Sequence, residues 1–257
     1  MYAIVTAGGI PKPDEPLFEY SQGRSKSLID IAGKPMIQWV LDALGGSKKV
    51  DQVVIIGLDQ TANVTCGKPV HYLPNQGSML ANMVAGFGKV LEIDPTAKYV
   101  LIASSDIPDL KSNMVDWLVS EVEKEAADLY YGVVRKEIMD QTYPGSRRTW
   151  TRLKDMEVCG ADINVAHVSM ATEHLPTWET LIGRRKSPLK QAAAIGLWTL
   201  ILMLTRQATL QELVGRVSRS IGIKGKAILW PWAEAGMDVD KPHQLAMMRT
   251  SLQKQKS

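Results

Sequence analysis

Short runs of β-forming residues alternate along this chain with stretches whose apolar positions recur every three or four residues, and few architectures accept that alternation. Tyr2 to Thr6, Val53 to Gly57, Val70 to Leu73 and Tyr99 to Ala103 read as strands. Between them Met36, Ile37, Val40, Leu41 and Leu44 share one face of a helix that ends near Gly45-Gly46. Leu80, Met83, Val84, Phe87, Val90 and Leu91 share one face of another. Tyr99 to Ala103 is apolar throughout, as in a strand covered on both faces. The pattern predicts an α/β fold of three layers, α/β/α, around a mostly parallel, doubly wound, Rossmann-like mixed sheet. After a helix at about Met114 to Ala126, the segments Leu129 to Arg135, Thr149 to Lys154 and Ile163 to Val168 read as an antiparallel extension of the sheet. Helices follow at about Glu173 to Ile182, Pro188 to Leu204 and Leu210 to Ile221, then a strand Ala227 to Trp230 and a helix from Pro242. With no repeat and no low-complexity linker, the 257 residues are expected to form a single domain.

The net charge of +3 is small, and its cations are interspersed with acids except at Arg184-Arg185-Lys186 and in the lysine-rich tail, so no nucleic-acid footprint is expected. Cys66 and Cys159 are far apart and lack Cys or His neighbours at ligand spacing. They read as two reduced thiols rather than a zinc site or disulfide framework. No signal-type segment follows Met1, and a cytoplasmic location is expected. The run Ala192 to Leu204, about 13 residues, is shorter than the ~20 needed to span a bilayer. It is apolar nearly all round, which speaks against a membrane-surface helix and for one that is buried, shapes a pocket, or faces a partner, leaving room for a homo-oligomer.

The first strand runs straight into Ala7-Gly8-Gly9. Two glycines there let the backbone turn tightly and present N–H groups to phosphate oxygens. Lys26 follows in Arg24-Ser25-Lys26-Ser27-Leu28, ahead of Gly33-Lys34-Pro35, and adds the mobile positive charge that phosphoryl transfer uses; Lys12 and Arg24 are alternative cations. The spacing fits neither a P-loop nor a G-x-G-x-x-G site. Ser104-Ser105-Asp106-Ile107-Pro108 ends the buried strand at the carboxyl edge of the sheet, where open α/β sheets bind ligands, so Asp106 is a candidate for a divalent cation. Asp238 and Asp240 stand two residues apart and point the same way in an extended segment. Of the two, Asp240 is favoured as the second ligand, although it also suits the cap of the helix beginning at Pro242. Asn75-Gln76-Gly77-Ser78 leaves room for a flat ring and carries groups able to read its edge; Ser78 equally suits a helix cap.

These segments, in this order, resemble the nucleotidyltransferases of the glycosyltransferase-A-like fold, the MobA-like NTP transferases, which include molybdenum-cofactor guanylyltransferases and sugar-phosphate nucleotidyl transferases. The resemblance implies that Ala7-Gly8-Gly9 cradles a triphosphate, with Arg24 and Ser105 among its contacts, and that Lys26 acts catalytically on the phosphates. It implies that Asn75, Gln76, Gly77 and Ser78 hold the base, and that Asp106 and Asp240 hold Mg²⁺. Gly160 and Asp162, in Gly160-Ala161-Asp162-Ile163-Asn164, fall where such proteins line an acceptor pocket. Residues 1–126 would then form the nucleotide-binding half, and 127–257 the half that binds the acceptor and completes the metal site. The implied partners are a nucleoside triphosphate and a phosphorylated small-molecule acceptor. The chain departs from the pattern in a longer loop between Gly9 and Lys26, in Ser25 where such proteins carry proline, and in Asp162 where an amide is frequent. Two other functions suit the same residues: a nucleotide-sugar glycosyltransferase with Asp238-Val239-Asp240 as its metal motif, and a nucleotide-binding protein without turnover.

Overall fold

In the computed structural model, which describes residues 1–175 and 197–254, the alternation becomes one nine-stranded sheet with helices on both faces. The chain runs β1 (Tyr2–Thr6), α1 (Phe18–Ser21), a 3-10 turn (Lys26–Leu28), the two-residue strands β2 (Asp30–Ile31) and β3 (Lys34–Pro35), and α2 (Met36–Gly46). It continues through β4 (Val53–Ile56), β5 (Val70–Leu73), α3 (Met79–Ile93), β6 (Tyr99–Ser104) and α4 (Ser112–Glu123). The second half holds β7 (Leu129–Arg135), α5 (Lys136–Thr142), β8 (Thr151–Arg152), β9 (Glu157–Gly160), β10 (Ile163–His167) and α6 (Ser169–Thr172). After these come α7 (Leu197–Leu204), α8 (Leu210–Ile221), β11 (Gly225–Trp230) and α9 (Pro242–Lys254).

Strands β5, β4, β1 and β6 lie side by side in parallel, and successive residues of each point to opposite faces. Ile4, Val54, Ile56 and Val100 pack with Met83, Phe87 and Val90 of α3 on one face. Ala3, Val5, Val53, Ile55 and Leu101 share the other with apolar residues of α2, α4 and α9. Helix α2 ends at Gly46, as expected, with Gly45 and Gly46 in its last turn. Each glycine costs about 1 kcal/mol against alanine, whereas Ile37, Val40, Leu41 and Leu44, all fully buried, each contribute about 1.5–3 kcal/mol.

Beyond β6 the sheet turns mixed. Strand β10 is antiparallel to β6 and β7, and β11 runs parallel to β7. The expected strand Thr149 to Lys154 shrinks to Thr151–Arg152 at the sheet edge, and β9, not anticipated, lies between it and β7. Between β9 and β10 the chain crosses from β7 to β6 at Ala161-Asp162: the Ala161 amide donates to the Gly132 carbonyl, and the Asp162 carbonyl accepts from Ser104, both at 2.8 Å. That crossing sets Asp162 beside the carboxyl end of β6. Helix α4 stops at Glu123, not near Ala126, because the buried Tyr130 hydroxyl donates to the Glu125 carbonyl and accepts from the Ala127 amide. The expected helix Glu173 to Ile182 and the start of the helix Pro188 to Leu204 lie largely outside the described residues, as does Arg184-Arg185-Lys186. No helix among the described residues is long and apolar enough to cross a membrane.

Candidate active site

The loops leaving the carboxyl ends of β1, β4, β5 and β6 converge. Gly57, just after β4, has φ +97°, and a Cβ there would collide with the Gly8 backbone, so the two loops touch main chain to main chain. From β5, the Asn75 amide donates to the Gly8 carbonyl at 3.1 Å while its oxygen accepts from the Gly77 amide at 2.9 Å and from Asn82 Nδ2 at 3.2 Å. Asn82, on the first turns of α3, accepts in turn from the Gln76 amide at 2.7 Å. The glycine loop and the Asn75–Ser78 loop are thereby one braced unit. Ser78 is the cap of α3, its hydroxyl accepting from Ala81, and Gln76 folds its side-chain amide back onto the Pro74 carbonyl.

The long loop after Gly9 closes on itself. The Lys26 amide donates to the Gly9 carbonyl at 2.9 Å, and the Ser25 hydroxyl donates to the Ala7 carbonyl at 2.5 Å while capping the turn that carries Lys26. Between these points the chain makes an excursion through α1, turned back by Gln22 and Gly23, both at positive φ, and anchored in the core by Leu17. Lys26 then reaches across the cleft. Its ammonium donates to Asp106 Oδ2 at 2.5 Å and to Asp240 Oδ1 at 2.6 Å. Burial alone would lower its pKa, but the charges of Asp106 and Asp240 outweigh that and hold it above the usual lysine range.

Asp106 is buried and Asp240 exposed. The Asp106 carbonyl accepts from Val239 at 2.9 Å, joining the two acidic segments. Asp109, three residues on, is gripped by Lys111, the Tyr143 hydroxyl and the Ser251 hydroxyl, which anchors the turn. Oδ1 of Asp106 is buried with no hydrogen-bond partner among the described residues. Two carboxylates with an unsatisfied oxygen suit a hard cation such as magnesium, which takes one or two carboxylates together with substrate phosphates and water. Among the described residues no cluster of three or more metal-binding side chains forms.

Asp238 and Asp240 do open on one polar pocket of about 350 Å³ with Asp162, Gly160, Arg147, Arg148 and Lys241. Arg148 pairs with Asp238 and, at 3.5 Å, with Asp162. Burial, followed by the negative charge of Asp106, outweighs Arg148 and raises the Asp162 carboxyl to about 7. The folded state therefore binds this proton more tightly than the unfolded chain, whose carboxyl titrates near ~4. The associated stability is complete below about pH 4 and is lost as pH rises through about 7. Asp162→Asn is expected to flatten this loss, so that its melting temperature gains on the wild type between pH 5 and pH 8; parallel curves would contradict the assignment.

Of the residues singled out in the sequence, Gly8, Gly9, Lys26, Asn75, Gly77, Ser78, Ser105, Asp106, Asp162 and Asp240 line one cleft of about 530 Å³, with the Ala7 carbonyl behind it. Arg24 instead lines a neighbouring cavity beside Gly57, Asp59 and Asn75. Lys12 lines neither cavity, its amide donating to Glu15 in the loop. Arg148 and Asn82 were not anticipated. Adjacent arginines after Pro144-Gly145 were the available signal for the first, and an asparagine one turn beyond the Ser78 cap for the second.

A family model described as MobA-like NTP transferase domain matches residues 4–218. The molybdenum cofactor guanylyltransferase of Shewanella sediminis is 28% identical over 130 residues, 49% of this chain and 59% of that protein. That of Shewanella woodyi is 25% identical over the same shares, so the match spans less than two thirds of these relatives' length. Among solved structures, a hypothetical transferase from Thermus thermophilus superposes with TM-score 0.80 at 29% identity, covering 95% of this chain and 98% of that one. A CMP:2-keto-3-deoxy-manno-octonic acid synthetase complexed with CTP shares the fold, with TM-score 0.60 at 16% identity over 99% and 98% of the two chains.

Proposed function

The chain belongs to the family of MobA-like NTP transferase domains, and from that premise we propose that it moves a nucleoside monophosphate from a nucleoside triphosphate to a phosphorylated small-molecule acceptor, releasing pyrophosphate, with Mg²⁺ as cofactor. One observation carries the reading: the Lys26 ammonium lies against both Asp106 and Asp240, directly beside the glycine loop. The relatives named as guanylyltransferases, and a fold neighbour crystallised with CTP, support the same reaction class.

In this mechanism the backbone amides of the glycine loop hold the triphosphate. An oxygen of the acceptor phosphate attacks the α-phosphorus in line, and the bond from that phosphorus to the bridging oxygen breaks with its electron pair going to pyrophosphate. No general base is required, because a phosphate monoester is already ionised near pH 7. Lys26 stabilises charge growing on the phosphoryl oxygens and the leaving group. Magnesium, held by Asp106 and Asp240, would neutralise phosphate charge and orient the reacting groups. Arg147 and Lys241 offer cations to the acceptor's phosphate, Arg148 being paired with Asp238 and Asp162 in the same pocket.

A nucleotide-sugar glycosyltransferase is disfavoured because its Asp-x-Asp motif is expected mid-chain after a central strand, where this sequence has Ser105-Asp106. The test is pyrophosphate release from each of the four triphosphates with sugar phosphates, alditol phosphates, alkyl phosphates and molybdopterin, with and without Mg²⁺. Release with one triphosphate and at least one acceptor, dependent on Mg²⁺, is expected. Thermal stabilisation by a triphosphate with no release from any pairing would instead favour a binder without turnover.

A further inference from the structure

Past the polar pocket the sheet face becomes apolar. A cavity of about 330 Å³ lies between strands β7, β9 and β11 and helix α8. Leu129, Val133 and Ala227 line it from the sheet, and Leu213, Val214 and Val217 line it from α8. Helix α8 is firmly made, with a capping box between Thr209 and Glu212 and Gly222 at its end, yet none of its residues is buried. Leu210 and Leu213 rest against Val133, Leu153 and Val158, while Val214 and Val217 of the same stripe face the cavity, where the dense contact that interiors otherwise reach is forgone. The cavity and the polar pocket share Tyr131, Cys159 and Gly160. A Cβ at Gly160 would collide with the Tyr131 hydroxyl, so that ring stands at the junction. Met203 of α7 also lines the cavity, while Trp198 and Leu204 of the same helix are 61% and 73% exposed.

Resting on the nucleotidyl-transfer reading above, we propose that the acceptor is an amphiphile: a phosphate monoester whose head lies by Arg147 and Lys241 and whose apolar body passes Tyr131 into the cavity. The space holds on the order of ten groups of ~30 Å³, the size of a water or a methylene. The bond made joins a head-group oxygen to the α-phosphorus, the bond broken releases pyrophosphate, and the product keeps the apolar body on a diphosphate linkage. A purely polar acceptor would leave the apolar cavity walls, Val214 and Val217 among them, without a partner.

Calorimetric titration with n-alkyl phosphates from methyl to decyl tests the cavity without relying on turnover. Affinity is expected to rise about fourfold per added methylene over the first several carbons, and to flatten once the cavity is filled. Val214→Trp is expected to abolish this dependence while methyl phosphate binds within twofold of wild type; Ala227→Leu serves if that variant does not fold. Affinity independent of chain length, or the same dependence in a folded cavity-filling variant, overturns the proposal. Pyrophosphate release then distinguishes the sources. Release with decyl phosphate dispersed below its micellar concentration indicates a soluble amphiphile, and release only from phosphate-bearing vesicles indicates a membrane lipid. Faster release with sugar phosphates than with either overturns the acceptor class. Chain-length-dependent binding with no release from any acceptor sustains the cavity assignment and removes the nucleotidyl-transfer reading.

Discussion

Lys26→Met is expected to lower kcat/KM for pyrophosphate release by roughly a thousandfold, with most of the loss in kcat. Removing one preorganised donor to a developing oxyanion costs about 10²–10³ in rate, and removing the arginine that stabilises a phosphoryl-transfer transition state costs about 10³–10⁵. Lys26 is the cation that meets both Asp106 and Asp240. Its loss also has a structural cost, which falls unevenly. Asp240 is half-exposed and water can replace the ammonium there, whereas the Asp106 side chain is only 7% exposed. An uncompensated buried acceptor costs about 1–3 kcal/mol, which for a chain of this size lowers the melting temperature by several degrees. Mg²⁺ is expected to recover more of that loss in the variant than it adds to wild type, because the two carboxylates then face each other without a cation. Steady-state kinetics and thermal scans with and without Mg²⁺ check both halves. Activity within tenfold of wild type would remove Lys26 from the mechanism.

Asp106→Asn is the second large effect. The amide keeps the shape of the carboxylate, and the turn is still held by Asp109 with Lys111, Tyr143 and Ser251, so the fold is expected to persist. The charge is lost from the buried side of the site, and with it the strong interaction with Lys26 and the anionic oxygen offered to a metal. A fall of roughly 10²–10³ in turnover is expected, together with a higher Mg²⁺ concentration for half-maximal rate. A titration of rate against Mg²⁺ that overlays the wild-type curve would show that the metal sits elsewhere.

The half of the chain through α4 was largely legible because its helices carry long apolar stripes and its strands are covered on both faces, so each element signals itself. The second half was less so. Four residues of β9 separated from β10 by two are too few for a period to show, and their separate identities arise only where the chain crosses from β7 to β6 at Ala161-Asp162. Arg148 gains its place by meeting Asp238, far away in sequence, together with Asp162, and local pattern does not encode such meetings. Ser25 read as a departure where similar proteins carry proline. In the folded chain its hydroxyl on the Ala7 carbonyl holds the turn that bears Lys26, so the constraint on that turn is kept by a hydrogen bond rather than a ring.

The joint between the Gly9 carbonyl and the Lys26 amide separates two kinds of selection. Residues on the cleft side of the joint answer to chemistry, and within the excursion Ile10, Pro11, Glu15 and Pro16 still line a cavity with Lys26 and Asp240 while Ser25 holds the turn, which leaves the segment around α1 to answer mainly to solubility and to packing around Leu17. Loop closure grows only slowly more costly with length, so insertions and deletions at the Gln22-Gly23 turn after α1 can drift without moving Lys26. That makes the tip of this loop the natural place to graft an epitope or a fluorophore into an otherwise intact protein.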